Sequence, residues 1–256
     1  NKDGRIVFVI PYEEDFSLVG TTDEDFQGNP LDAAISQEET DYLVDVVNTY
    51  FKTKITTDNI VHSYSGVRPL LEEKNASAQE LTRDYKVELK GEAGEPILLN
   101  IFGGKITTYR KLAEHAVDKL VSCFPRAKKA WTKEVPLPGG AFSDKASLKS
   151  ELQSSYPWLP ASVIERYVRQ YGLLCHKFLT GVSNVDGLGQ DFGAQLYQAE
   201  VDYLISFEWA QTVEDVLWRR TKHGLRLSDA QKQVLSQYIE DKVTSLQQSS
   251  EMRETA

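Results

Sequence analysis

The chain has 256 residues, of which 41% are apolar and 26% charged, with a formal net charge of −9. This is the composition of a folded protein with room for one large domain or two ordinary ones, and it excludes intrinsic disorder. The excess acidity sits in residues 1–125, with 13 Lys/Arg against 22 Asp/Glu, while residues 126–256 carry 16 of each. A nucleic-acid partner, which needs a broad basic face, is excluded, and any anion bound by the first half must be held by a few aimed groups.

In chain order, Arg5–Ile10 is a β-branched apolar run ended by Pro11, and Phe16–Gly20 alternates after an acidic turn, so the two form a hairpin. Ser36 with Glu39 is a capping box that opens a helix whose apolar stripe is Leu43, Val46, Val47 and Tyr50. The chain is extended again at His62–Gly66, and Pro69 keeps Arg68 out of the helical well. Glu72–Gln79 is a polar loop, Thr82–Lys90 has a strand-like core, Gly91–Pro96 is a turn, and Ile97–Phe102 has the length and composition of a buried strand. That strand runs into Gly103, Gly104 and Lys105, followed by an amphipathic helix from Thr107 or Thr108 with Tyr109, Leu112, Ala113, Ala116, Val117 and Leu120 on one face.

Residues 126–140, with Pro136, Pro138, Gly139 and Gly140, form a linker. Beyond it the punctuation is helical: Asp144, Ala161, Thr212 and Ser228 are starts, and Gly172, Gly181 and Gly224 are stops. The fold class is therefore α+β, with a mixed domain over 1–125 and a small all-helical domain over 141–256. Trp131, Trp158, Trp209 and Trp218 are expected in the helical core, and Cys123 and Cys175 as two buried thiols without metal or disulfide spacing. The four histidines lack metal-ligand spacing, no metal is expected, and His62 is either structural or a lining residue of a site. Gly187–Gly193 is a loop rather than a dinucleotide fingerprint, since no strand precedes it. No apolar run approaches the ~20 residues of a membrane span. The chain does not open on Met and enters a strand pattern at once, which fits a segment of a longer polypeptide.

Two constellations carry chemistry. Gly103-Gly104-Lys105, between a strand and a helix, lets a flat or charged group approach the backbone and meet free amides, the positive end of a helix dipole and a lysine. The plain alternative is a helix cap with a surface lysine. Arg68, on an extended segment before proline, and Arg83 beside Asp84 are rigid enough to bind phosphate, or are halves of structural ion pairs.

The blocks GRIVFVIPYEEDFSLVGTTD, YSGVRPL, TRDY and FGGKITTYRKLAEHA, with PLPGG, LGQDFG and VEDVLWRRTKHGL after them, resemble the aerobic FAD-linked glycerol-3-phosphate dehydrogenases of bacteria across essentially the whole chain. The resemblance implies oxidation of sn-glycerol 3-phosphate to dihydroxyacetone phosphate, with electrons passed through FAD to a membrane quinone. It also implies a peripheral enzyme on the cytoplasmic face of the inner membrane, with a homodimer one option. Arg68 and Arg83 match the family's substrate-phosphate ligands, and Gly103, Gly104, Lys105 and Thr107 match the segment along the flavin; no catalytic base is assigned. A dinucleotide GxGxxG is absent, so these residues alone are expected to bind FAD weakly or not at all and to have no turnover. The alternative within the flavoprotein class is an oxidase passing electrons to O₂, with the helical half acting as an interaction or dimerisation module.

Overall fold

The computed structural model describes residues 1, 3–68, 84–91, 96–124 and 126–254, with the backbone alone for 250–254. It divides into two compact units, Asn1–Val135 and Pro136–Ala256. The first mixes strands and helices, and the second is helical, its one strand-like feature among the described residues being a bridge between Asp191 and Tyr197.

In the first unit β1 (Phe8–Tyr12) and β2 (Phe16–Gly20) form an antiparallel ribbon in the register Ile10↔Leu18. The expected strand over Arg5–Ile10 is displaced toward the turn and contains Pro11, opposite Ser17. Both strands of a two-stranded ribbon are edges, so a residue without an N–H is accommodated there. Helix α1 (Gln37–Tyr50) starts at the anticipated capping box: Glu39 N donates to Ser36 Oγ at 3.1 Å and Ser36 N to Glu39 Oε2 at 2.9 Å. Of its expected stripe Val47 is buried, whereas Tyr50 is 64% exposed. A groove between Asn1–Val9 and α1 is walled by Ile6, Val7, Val9, Val46 and Val47.

A second ribbon pairs β3 (Tyr85–Lys90) with β4 (Leu98–Gly103), Tyr85 opposite Gly103, and α2 (Tyr109–Leu120) packs against it. The expectation that Ile97–Phe102 is a buried strand is not met: Leu98 is 59% and Ile101 44% exposed. The ribbon has two strands and one helix, so no second layer covers the other face among the described residues. The same thinness leaves Tyr109 and Val117 of α2 exposed, while Ala116 is buried. Cys123 is exposed as well, in the 3₁₀ turn that follows α2, so only Cys175 is a buried thiol.

The second unit holds nearly all of the buried apolar side chains. It comprises α3 (Lys145–Ser155), α4 (Ala161–Gln170), α5 (His176–Leu179), α6 (Gln198–Glu208) and α7 (Asp229–Glu254), with a π-helical turn at Asp215–Arg220. Asp144 caps α3 through Ser147 N at 2.9 Å, and Ser228 with Gln231 opens α7. Pro136–Gly140 is part of this unit. Leu173 N donates to Gly139 O at 3.0 Å, and Gly172 and Gly139, both at positive φ, approach so closely that a Cβ on Gly172 would lie 2.2 Å from Gly139 O. The core centres on Tyr167, Tyr171, Phe178 and Tyr203, set edge to face at 5.0–5.6 Å.

Threaded into that apolar core is an ion pair between Arg166 of α4 and the fully buried Glu200 of α6. Tyr171 OH donates to Glu200 Oε1 at 2.7 Å, and Arg166 Nη2 donates to Gln195 O at 2.8 Å. Burial by itself would raise the Glu200 carboxyl, but the Arg166 charge and hydrogen bond outweigh it and hold it below its ordinary value. His223 lies beside this pair, and burial, with the Arg166 charge behind it, pushes its imidazole down to about 4. Two of the four tryptophans depart from the core expectation. Trp209 is 83% exposed because it caps α6 in the left-handed region at φ 55°, which carries its side chain off the packed face, and Trp131 is 61% exposed in the irregular stretch after α2. Trp158 and Trp218 pack against the core.

Candidate functional site

The first unit builds its chemistry where β4 ends. Hydrogen bonding to β3 carries the strand as far as Gly103, and two left-handed residues, Gly103 at φ 69° and Gly104 at φ 104°, then turn the chain. A side chain on Gly104 would be strained by its φ, and its Cβ would sit 3.1 Å from Leu112 Cδ1 and 3.4 Å from Tyr85 Cβ. The glycine thus lets the turn lie flat on β3 and α2. His115, one turn beyond Leu112, places its ring 5.7 Å from that of Tyr85 and closes the underside.

From this turn the chain enters a 3₁₀ turn, Ile106–Thr108, and then α2. Lys105 O is tied down by Thr108, through its N–H at 3.0 Å and its hydroxyl at 2.9 Å. Neither the 3₁₀ turn nor α2 has a side-chain cap or an acidic residue in its first turn. Helix α1 is the internal contrast, with a full capping box and Glu38 and Glu39 in its first turn. Among the described residues the positive end of α2 thus carries no side-chain cap, and Lys105 and Thr107 are exposed beside it. The two cations further along are drawn back onto Glu114: Arg110 Nη1 lies 2.7 Å and Lys111 Nζ 3.2 Å from its carboxylate, and Thr132 Oγ1 donates to it at 2.6 Å. The Thr132 hydrogen bond, then Lys111 and Arg110, hold the Glu114 carboxyl below its ordinary value. The Arg110–Glu114 spacing is legible in sequence as an i,i+4 pair; nothing local signals Thr132.

Arg68 stands in a different local frame. It lies in a stretch from Ile60 that is in neither strand nor helix, and its Nη2 pairs with Oδ2 of Asp23, just beyond β2. Both side chains are about a third exposed, at 40% and 33%. Sequence reasoning named Arg68 but not Asp23, which no spacing rule connects to it. Arg83, the other expected phosphate ligand, lies outside the described residues, as do Pro69 and Leu70. His62 and Tyr64 are exposed on the same segment as Arg68. The structure thus unites Gly103, Gly104, Lys105 and Thr107 in one turn and ties Arg68 to the end of the β1–β2 ribbon.

A flavin would fit this turn on its geometry. Two adjacent residues without Cβ give a flat face, uncapped amides sit at the helix start, and a lysine stands where negative charge would collect. A family model described as FAD dependent oxidoreductase matches residues 1–110, and one described as C-terminal domain of alpha-glycerophosphate oxidase matches residues 130–252. Residues 1–110 are thus similar to FAD-dependent oxidoreductases. Among the chain's relatives are the aerobic glycerol-3-phosphate dehydrogenase of Escherichia coli, 45% identical over 93% of the chain and 48% of the relative, and the glycerol-3-phosphate dehydrogenase of Pseudomonas aeruginosa, 46% identical over 94% and 47%. A D-erythritol 1-phosphate dehydrogenase of Brucella abortus is 42% identical over 94% of the chain and 48% of its own length. The chain spans about half the length of the curated relatives it matches. Among the described residues no helix is long and apolar enough to cross a membrane.

Proposed function

We propose that the chain supplies the flavin-facing turn and the phosphate-binding arginines of a flavoprotein that oxidises sn-glycerol 3-phosphate to dihydroxyacetone phosphate and passes the electrons to a membrane quinone. FAD, when bound, supplies the two-electron chemistry. The observation that carries the reading is the strand–turn–helix at Leu98–Leu120, with two left-handed glycines leading into an uncapped helix start at Lys105. Its amides and Lys105 stabilise negative charge delivered to that point, in the manner of an oxyanion hole. Thr107, exposed on the same turn, offers a hydroxyl. Arg68 and Arg83 are the cations for the substrate phosphate, because a planar guanidinium matches the phosphate oxygens. The domains follow as a flavin- and substrate-facing part over 1–125, a connection over 126–135 and a helical part that takes in Pro136–Gly140 from the expected linker as well as 141–256. The isolated chain turns over no substrate, and the enzyme associates peripherally with the cytoplasmic face of the membrane.

A second reading concerns the electron acceptor. The match of residues 130–252 to a domain described for an alpha-glycerophosphate oxidase favours O₂ in place of quinone, with the helical part then an interaction or dimerisation module.

The test is anaerobic flavin bleaching and steady-state turnover of the complete FAD-loaded enzyme, wild type against Arg68→Ala. Glycerol 3-phosphate, D-erythritol 1-phosphate and glycerol serve as substrates, and a soluble quinone or O₂ as acceptor. Glycerol 3-phosphate bleaches the flavin, glycerol does not, and Arg68→Ala raises KM by about 10- to 100-fold, as loss of a charge-assisted hydrogen bond requires. Preference for D-erythritol 1-phosphate would reassign the substrate, hydrogen peroxide release at the quinone rate would reassign the acceptor, and unchanged kinetics in Arg68→Ala would make that arginine structural.

A further inference from the structure

From Ile60 to Arg68 the backbone is in neither strand nor helix. Even on a fixed backbone a long arginine side chain samples many rotamers, and ordering it on a ligand costs entropy. The structure supplies a partner from a firmer place. Asp23, three residues beyond the end of β2, pairs its Oδ2 with Arg68 Nη2. Its neighbours in sequence on both sides make contacts of their own. The Thr22 hydroxyl donates to Glu39, the capping-box residue of α1, and Glu24 pairs with Arg5 at 3.3 Å. A chain of contacts thus runs from the capped start of α1 through Glu39 and Thr22 to Asp23 and Arg68.

We propose that Asp23 is a positioning residue for phosphate-monoester binding. It fixes the Arg68 guanidinium in one orientation, so that the arginine meets the substrate phosphate already ordered. The inference rests on the reading of Arg68 as a phosphate ligand given above. A guanidinium has five donors in a planar fork and one carboxylate oxygen engages only part of it. At 40% side-chain exposure Arg68 remains reachable from solvent. The pair is too exposed to matter greatly for stability; its consequence is for the freedom of the arginine, which the substrate would otherwise have to restrict.

The test uses the complete FAD-loaded enzyme with Asp23→Asn, Asp23→Glu and Arg68→Ala, glycerol 3-phosphate as substrate and inorganic phosphate as competitive inhibitor. Asp23→Asn raises KM and the phosphate inhibition constant together by about three- to tenfold while kcat stays within about twofold, because part of the arginine's ordering cost moves into binding. Asp23→Glu restores most of the loss. An unchanged or tightened KM and inhibition constant in Asp23→Asn, with Arg68→Ala still impaired, overturns the positioning role and would mean that Asp23 competes with phosphate for the arginine. If Arg68→Ala is itself without effect, the phosphate-ligand reading has failed instead.

Discussion

His223 makes the helical unit sensitive to mild acid, and the size of the effect follows from its surroundings. It is 4% exposed, and burial with the neighbouring Arg166 lowers its imidazole from 6.5 to about 4, against the opposing pull of Glu200. The folded-state value is depressed, so the unfolded chain binds the proton more readily. The stability of the neutral ring is fully present above about 6.5 and is lost as the pH falls toward 4. Linkage over that window gives about 2 kcal/mol between pH 7 and pH 5 and about 3 kcal/mol in full. The carboxylates held below their ordinary values, Glu200, Asp144 and Asp215 among them, lose their contributions only at lower pH, so the upper window isolates the histidine. His223→Gln keeps an amide that can donate to the Ala194 carbonyl next to the ring but cannot titrate. Urea unfolding of the whole chain at pH 7, 6 and 5, followed by tryptophan fluorescence, should show the wild-type transition of the helical unit moving to lower urea as the pH falls. The variant's transition should stay nearly level over the same range. Equal losses in both proteins would refute the assignment of the acid sensitivity to this ring.

Two further outcomes follow from the same packing. Arg166→Met leaves Glu200 buried without its cation and should destabilise the helical unit by about 3–5 kcal/mol, read as a lowered unfolding midpoint; an unchanged midpoint would show that the pair is dispensable. Residues 136–256 expressed alone should fold cooperatively, with dispersed amide resonances and protected cores in α4 and α6, because nearly every buried apolar side chain belongs to this unit. A molten spectrum would refute that autonomy.

Much of the local architecture was legible in the residues themselves. Ser36 with Glu39 and Ser228 with Gln231 name the helix starts they later cap, because a capping box is satisfied within four residues. The hairpin at Phe8–Gly20 and the glycine turn at Gly103–Gly104 are local for the same reason, since short-range sterics and hydrogen bonding settle them. Burial is different, because it depends on whether another layer exists. The apolar content of β4 reads as a core strand, yet among the described residues the strand has one partner and stands largely exposed. Trp209 reads as core, yet the left-handed cap of α6 turns it outward. The long-range ties lay beyond any pattern rule: Arg166 meets Glu200 across 34 residues, and Arg68 meets Asp23 across 45. Each ion pair is fixed by where two elements happen to be held together, and only the tertiary structure carries that information.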